Sequence, residues 1–417
     1  MKRPQSLDIY YGAEIVGTLH DTSPLSFEYA TTWLGRDECI PLGAVELAPG
    51  RNDSINVQAF FENLLPEGEL RDYITQQKKA STLFSLLHEV AGDTAGCFVI
   101  LPSGKIPGPP EYDASTWKGL AAKLAGKSAA AIDIKGAGSR ISLAGAQDKT
   151  SIAISPDGEP RLPRGTTPST HILKPDIRRL AKVWHSAANE TITMLAAANC
   201  GLPTAEVFYE PHTKSCVVRR FDRIGRPDGS LGRLIQYDLC QLSGTLSDHK
   251  YEKEGGPGIA QCAELIRMNS SLPAVDLRHF LNWIFFNLYV GNNDSHAKNL
   301  SMYWIPGNGV RLTPFYDLMC TRLYPGLSPE FAFSIGGEVL PGSVNKQHVV
   351  EMARVLDFKP SFVISEGLKL AAKMPAAIDK AIKAVEPVLP PGAKLLAERL
   401  KQFVLATTKK TAQRIAD

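Results

Sequence analysis

Asp294-Ser295-His296-Ala297-Lys298-Asn299 and, a little further on, Thr313-Pro314-Phe315-Tyr316-Asp317 are the two stretches on which the reading of this chain turns. Between them, Leu300 to Ile305 and Val310 to Thr313 flank Pro306-Gly307-Asn308-Gly309, a turn composition that predicts a hairpin. A hairpin reverses the chain and so returns Asp317 toward the Asp294 loop. Upstream, Leu277, Phe280, Leu281, Ile284, Phe285 and Leu288 recur at helical spacing. That pattern predicts an amphipathic helix feeding directly into Asp294.

Working outward, Thr170 to Lys174 reads as a strand halted by Pro175. A helix from about Trp184 to Cys200 follows, with Gly201 as its C′ residue and Glu190 on its length. Ser151 to Ile154, the turn Ser155-Pro156-Asp157-Gly158, Ala205 to Tyr209 and Ser215 to Phe221 complete a strand-rich region. The first hundred or so residues read as a small mixed subdomain. It has a hairpin of Leu7–Tyr11 with Glu14–Leu19 around Gly12, helices over Val57–Leu65 and Ser81–Val90, and a buried strand over Ala95–Leu101. Pro102 to Pro110 reads as a linker. Leu396, Leu400, Phe403 and Thr407 mark the inner face of a last helix. The expected division is 1–104, a strand-rich 105–234 and a helical 235–417, an α+β chain without internal repeats.

Composition narrows the classes. The chain has 417 residues, 44% hydrophobic, too many for one compact core. A net charge of +3 does not demand nucleic acid as a partner. Seven scattered cysteines without a CxxC pair argue against a zinc site or disulfide framework and fit a reducing cytosol. No apolar leader follows Met1-Lys2-Arg3, and the apolar run from Phe280 to Val290 is interrupted by Asn282 and Asn287.

The chemistry that fits is phosphoryl transfer, which needs a cation for the phosphates, a carboxylate for the hydroxyl and oxygen ligands for magnesium. Asp294 and Asn299 have the D-x-x-x-x-N spacing of a kinase catalytic loop. Asp294 is expected to orient the acceptor hydroxyl, and Asn299 and Asp317 to hold the metal. His296 and Lys298 sit between them, placed to neutralise phosphate charge. Lys174 and Glu190 read either as a phosphate-holding ion pair or as an ordinary surface pair. Leu143-Ala144-Gly145-Ala146-Gln147-Asp148-Lys149-Thr150 is not a Walker A motif, since Asp148 precedes Lys149, but its backbone amides suit phosphate. Taken alone it is equally a plain turn. The order of the parts (lysine strand, glutamate helix, long helix, Asp/Asn loop, hairpin, aspartate) carries the reading.

These residues resemble the HipA family of bacterial toxin kinases. The likeness lies in Phe60-Phe61-Glu62-Asn63-Leu64-Leu65-Pro66, in Arg140 to Thr150, in Tyr251-Glu252 with Gly255-Gly256-Pro257-Gly258, and in the two loops quoted first. The resemblance implies a bilobal protein-kinase-like fold, related to phosphoinositide kinases, with a small α/β N-terminal subdomain and a largely helical C-terminal lobe. It implies a serine/threonine protein kinase using ATP and Mg2+, with Asp294 catalytic and Asn299 and Asp317 at the metal. The implied ATP contacts are Leu143, Ala144, Gly145, Ala146, Gln147, Asp148, Lys174, the hinge Arg219-Arg220-Phe221, His296, Ala297, Lys298, Asn299 and Tyr316. It further implies autophosphorylation at Ser142, an aminoacyl-tRNA synthetase as target (the glutamyl enzyme first), and a HipB-like helix-turn-helix antitoxin through which operator DNA is reached. Three departures stand out. Arg219 occupies an expected acidic position, Ser295 replaces a glycine, and Leu323 to Val344 diverges where a protein substrate would dock. A lipid or small-molecule kinase and a catalytically silent scaffold are the alternatives.

Overall fold

The computed structural model describes residues 5–90, 92–125, 147–178 and 180–417, with backbone alone at 69, 70 and 73. The chain forms two compact units, one from Met1–Lys174 with Arg220–Asp248, the other from Pro175–Arg219 with His249–Asp417.

The first unit opens with an antiparallel sheet of β1 (Ser6–Tyr11), β2 (Glu14–His20), β3 (Ser26–Tyr29), β4 (Arg51–Asn52) and β5 (Phe98–Pro102), in the order β4-β3-β2-β1-β5. The hairpin turns at Gly12, which takes a left-handed φ of 62°. Gly17 on β2 faces Ile9, and a Cβ there would lie 2.3 Å from the Glu28 carbonyl, so only glycine lets β3 approach. Alternate residues Leu7, Ile9, Val16, Leu19 and Phe27 are fully buried. Against them pack Phe60 and Phe61 of the helix Ile55–Glu62, with Phe60 5.5 Å from Tyr237 and edge-on to it. Residues near 237 thus belong to the same core as the N-terminal sheet. Helices Gly68–Lys78 and Leu83–Val90 complete this part.

The same unit holds β6 (Tyr112–Ala114), β7 (Thr150–Ile154), β8 (Pro160–Pro163) and most of β9 (His171–Pro175). These pair antiparallel, β6 on β8, β8 on β7 and β7 on β9. The expected turn at Ser155–Gly158 closes β7 onto β8, with Gly158 N donating to Ser155 O at 2.9 Å. The strand expected over Ala95–Leu101 starts later, at Phe98. Residues before it are spent on a turn in which Gly96 has φ of 78° and its N–H meets Asp222 Oδ2 at 2.7 Å.

The second unit is mostly helical. Its scaffold is the helix Ser186–Cys200, the helix Pro273–Val290 and the long helices Pro360–Val385 and Pro391–Ala416. Pro273 at N1 and Gly291 at C′, with φ of 71°, bound the second of these. Its apolar stripe is buried as its spacing predicts, each large side chain contributing about 1.5–3 kcal/mol. Gly367 admits the Phe285 ring, 2.8 Å from where a Cβ would sit, and its carbonyl accepts from Tyr289 Oη at 2.8 Å. The expected hairpin is Ser301–Ile305 against Gly309–Leu312, antiparallel, with Met302 opposite Leu312.

Candidate functional site

The Asp294 loop grows from the end of the Pro273–Val290 helix, and a relay of amides fixes it. Asn287 is buried in the last turn, and its Oδ1 accepts from Asn292 Nδ2 at 2.8 Å. Asn292 Oδ1 in turn accepts the Asp294 N–H at 3.2 Å. Asn293 N–H donates to Thr321 Oγ1 at 2.8 Å, and Ser295 Oγ to the Asn292 carbonyl at 3.1 Å. Within the loop His296 N–H meets the Asp294 carbonyl at 3.1 Å, and Asn299 N–H the His296 carbonyl at 2.9 Å. Asn299 Nδ2 donates to the Asp294 carbonyl at 2.9 Å, so the amide oxygen is the end left to face a cation.

The hairpin then brings back the second loop. Tyr316 Oη donates to the Lys298 carbonyl at 3.0 Å and lies 2.7 Å from Ser301 Oγ, tying one loop to the other. Phe315 is held on both sides, its N–H on the Pro203 carbonyl at 2.8 Å and its carbonyl on the Ala205 N–H at 2.9 Å. Asp317 follows with φ of 58°, a left-handed conformation that an aspartate tolerates better than most residues. Beyond it, Asn189 clasps the chain. Its Nδ2 donates to the Cys320 carbonyl at 3.0 Å, and its Oδ1 accepts the Cys320 N–H at 2.9 Å. Glu190, the next residue on that helix, is buried.

Burial sets the electrostatics. His296 is enclosed, and desolvation holds its imidazole well below the usual histidine range. Lys250 and Lys298 push the same way, and Asp317 opposes them. The ring is therefore neutral. Its Nε2 lies 3.9 Å from Asp294 Oδ1, and its Nδ1 is buried without a hydrogen-bond partner among the described residues. A buried polar atom left in this state suits an incoming polar group. Asp294 is 54% exposed at its side chain, open to an acceptor. Among the described residues no three His, Cys, Asp or Glu side chains cluster to hold a metal. Magnesium needs only one or two protein oxygens beside water and phosphate, and the pair Asn299 and Asp317 is of that kind.

The remaining expected residues are distributed as follows. Ser142, Leu143, Ala144, Gly145 and Ala146 lie outside the described residues. Gln147 and Asp148 lead into β7, and Gln147 Nε2 is buried without a partner among the described residues. Lys174 is buried near the end of β9. Ala297 and Lys298 are buried in the loop. Arg219 pairs with Glu206 at 2.8 Å, both well exposed. Phe221 is half-buried. The Arg220 guanidinium is committed elsewhere. It donates to Asp222 at 2.7 Å, to Asp93 at 3.2 Å, to Ser169 Oγ at 3.0 Å and to the Thr94 carbonyl at 2.7 Å. Arg223 and Arg233 also reach Asp93, at 2.8 and 3.1 Å. Only its main chain is left for a ligand.

Sequence reasoning passed over the amide relay, the Asn189 clasp and this ion cluster. The relay had a signal, since Asn287 interrupts an apolar helix face. A further contact also went unread. Tyr251 Oη donates to Asp294 Oδ1, and its ring stands edge-on to His296 at 5.0 Å.

Comparison with known proteins adds the family. Residues 141–386 match the model of the HipA-like C-terminal domain, and residues 7–101 that of the HipA N-terminal domain. The chain belongs to the HipA family. It is 36% identical over 350 residues to Y4mE of Sinorhizobium fredii, covering 80% of this chain and 81% of that one; the name of Y4mE carries a provisional assignment as a kinase. It is 27% identical to the serine/threonine-protein kinase toxin HipA of Shewanella oneidensis, covering 92% and 90% of the two chains. In structure it is similar to the HipA of a Shewanella oneidensis complex of HipA, HipB and operator DNA, with a TM-score of 0.83, 25% identity and 98% of each chain covered. The expected α+β, bilobal kinase-like class of the HipA family is therefore the fold of this chain. No described helix is long and apolar enough to cross a membrane.

Proposed function

We propose that this HipA-family chain is an ATP- and magnesium-dependent serine/threonine protein kinase acting as the toxin of a toxin–antitoxin module. The observation that carries the reading is the Asp294 loop. An exposed carboxylate, a buried imidazole with an unpartnered nitrogen, and an amide whose nitrogen is already committed to the Asp294 carbonyl are brought together by one hydrogen-bonded loop. Bound MgATP supplies the phosphoryl group and the divalent charge that neutralises it. Asp294 takes a hydrogen bond from the acceptor hydroxyl, aligns it and receives its proton. His296 offers Nδ1 to a polar oxygen, and Asn299 and Asp317 present oxygens to the metal. Lys174 is the cation assigned to the phosphate charge, and residues 143–148 are assigned as the phosphate loop.

The finer parts of the proposal follow the relatives. The similarity to a named serine/threonine-protein kinase toxin supports a protein substrate, and we take an aminoacyl-tRNA synthetase, the glutamyl enzyme first, as the target whose modification arrests growth. Autophosphorylation at Ser142 would place negative charge next to the phosphate loop and switch the kinase off. The complex in which the structural relative was solved supports a HipB-like antitoxin, with operator DNA reached mainly through it, and a cytoplasmic setting.

Incubation of the purified chain with labelled ATP, magnesium, tRNA synthetases and lipid vesicles tests this. Label on protein, lost in Asp294→Ala and in Asp317→Ala, is the expected result. Label in lipid alone would make the chain a lipid kinase. No label on any acceptor, with binding to an antitoxin–operator complex retained, would make it a scaffold.

A further inference from the structure

We propose that Tyr251 is a positioning residue that holds the Asp294 carboxylate in the orientation that meets the acceptor hydroxyl. The inference rests on the reading of Asp294 given above and adds a residue to it. The Asp294 side chain is 54% exposed on an otherwise buried loop, so its carboxylate can rotate among staggered wells and spend only part of its time aligned. The Tyr251 phenol donates to its Oδ1 and so selects one of those wells.

A phenol can only select a rotamer if it is itself fixed, and the frame behind Tyr251 is tightly built. Its carbonyl accepts from Glu254 N–H at 3.0 Å and from Gly256 N–H at 2.9 Å. Glu252, its neighbour, accepts the Ser334 N–H at 2.6 Å. A Cβ on Gly256 would lie 2.0 Å from the His249 carbonyl, and one on Gly258 2.6 Å from Glu252 Oε1. Gly256 is thus required for the turn to close, since its neighbour is backbone, while a side chain at Gly258 would displace Glu252. The ring is held as well, edge-on to the buried His296 on one side and 5.5 Å from Lys250 Nζ on the other. Both contacts keep the hydroxyl aimed at Asp294.

The test is Tyr251→Phe in the full chain, assayed for transfer to the acceptor that the wild type labels, with Asp294→Ala as reference. The ring and its packing stay, so the thermal midpoint is expected to match wild type. Turnover is expected to fall about tenfold with KM for ATP within about twofold, because one hydrogen bond to a charged group is lost. The acidic limb of the kcat–pH profile is expected to move to higher pH, since a carboxylate that loses a donor takes up a proton more readily. Wild-type turnover with an unmoved limb, while Asp294→Ala is dead, would overturn the role of Tyr251 and leave the kinase reading intact. Faster turnover would overturn it too, marking the phenol as an obstacle to the acceptor. Full activity in Asp294→Ala would remove the kinase assignment and this inference together.

Discussion

Two clusters of charged residues sit in the two units of this chain, and they are built on opposite plans. In the first, Asp93 and Asp222 are buried among Arg220, Arg223 and Arg233, and both carboxylates are gripped by guanidinium groups. In the second, Asp294 is half open to solvent and His296 keeps a buried nitrogen without a partner among the described residues. The first cluster also perturbs its members. Coulombic attraction from three arginines outweighs burial and holds the Asp93 carboxyl far below the usual range, while burial and the neighbouring Arg220 lower Arg223 to about 10. Charge density and shifted titration therefore mark both places. What separates them is the state of the carboxylates: Asp93 and Asp222 are buried and engaged by arginines, even though Arg223 Nε is buried without a partner among the described residues, whereas Asp294 stays half exposed to whatever arrives.

The contrast can be broken by removing one carboxylate from each. Asp294→Ala is expected to lower phosphoryl transfer by about 10²–10⁴-fold with little change in the unfolding midpoint. Asp93→Ala is expected to do the reverse. It leaves the buried Arg220 and Arg223 sharing Asp222, takes the carboxylate from the half-buried Arg233, and should cost about 3–5 kcal/mol of stability, read from denaturant unfolding, while turnover per folded molecule holds. If Asp93→Ala kept full stability and lost transfer, the buried cluster would be functional and the distinction would fail.

Acidity sharpens the same point. The folded pKa of both Asp93 and Asp222 is depressed, so their contribution is complete above the unfolded value of about 3.9 and drains away as pH falls below it. His296 is also depressed, so it favours the folded state fully only above its unfolded value of about 6.5 and less as pH drops. His296→Gln is expected to flatten the stability–pH curve between about pH 6.5 and 5, where the aspartates are silent. An unchanged slope in that window would show that the imidazole is protonated in the folded protein. The smallest effect belongs to Arg219→Ala. The Arg219–Glu206 pair is exposed on both sides, so its loss should change stability by less than about 0.5 kcal/mol, and a large loss of ATP affinity would give that side chain a ligand role.

The parts of this molecule that sequence reveals are those where one chemical demand acts on neighbouring residues. The hairpin between the two loops was visible because a Pro-Gly-Asn-Gly turn between apolar runs has few other solutions. The Pro273–Val290 helix was visible from its period and its terminal glycine. Other elements were hidden for physical reasons. The helix Gly68–Lys78 has only Leu70, Tyr73 and Ile74 as apolar positions among polar residues, a stripe too short to count. The helix Pro360–Val385 contains Pro375, which reads as a break but forfeits only one backbone hydrogen bond in a helix held by its packing. Site geometry was legible for the Asp294–Asn299 pair, whose short spacing brings the Asn299 amide onto the Asp294 carbonyl at 2.9 Å. It was not legible for Tyr251, which lies far from Asp294 in sequence and needed the turn of Gly255–Gly258 to be seen closed.

Asn189 carries a consequence for what this chain can become. Its side chain gives a donor to Cys320 and to Tyr324, and takes hydrogen bonds from Cys320 and from Thr193. Aspartate, one heavy atom different, would keep the acceptors, lose both donors and bury a charge. Glutamine would keep the chemistry and overshoot by a methylene in a site with no room. The chain after Asp317 thus passes through a stitch at Cys320 and Tyr324 that depends on the residue type at position 189. Because Cys320 takes part through its main chain, side chains between it and Tyr324 can change while the path is kept, whereas a change at Asn189 loosens the whole turn.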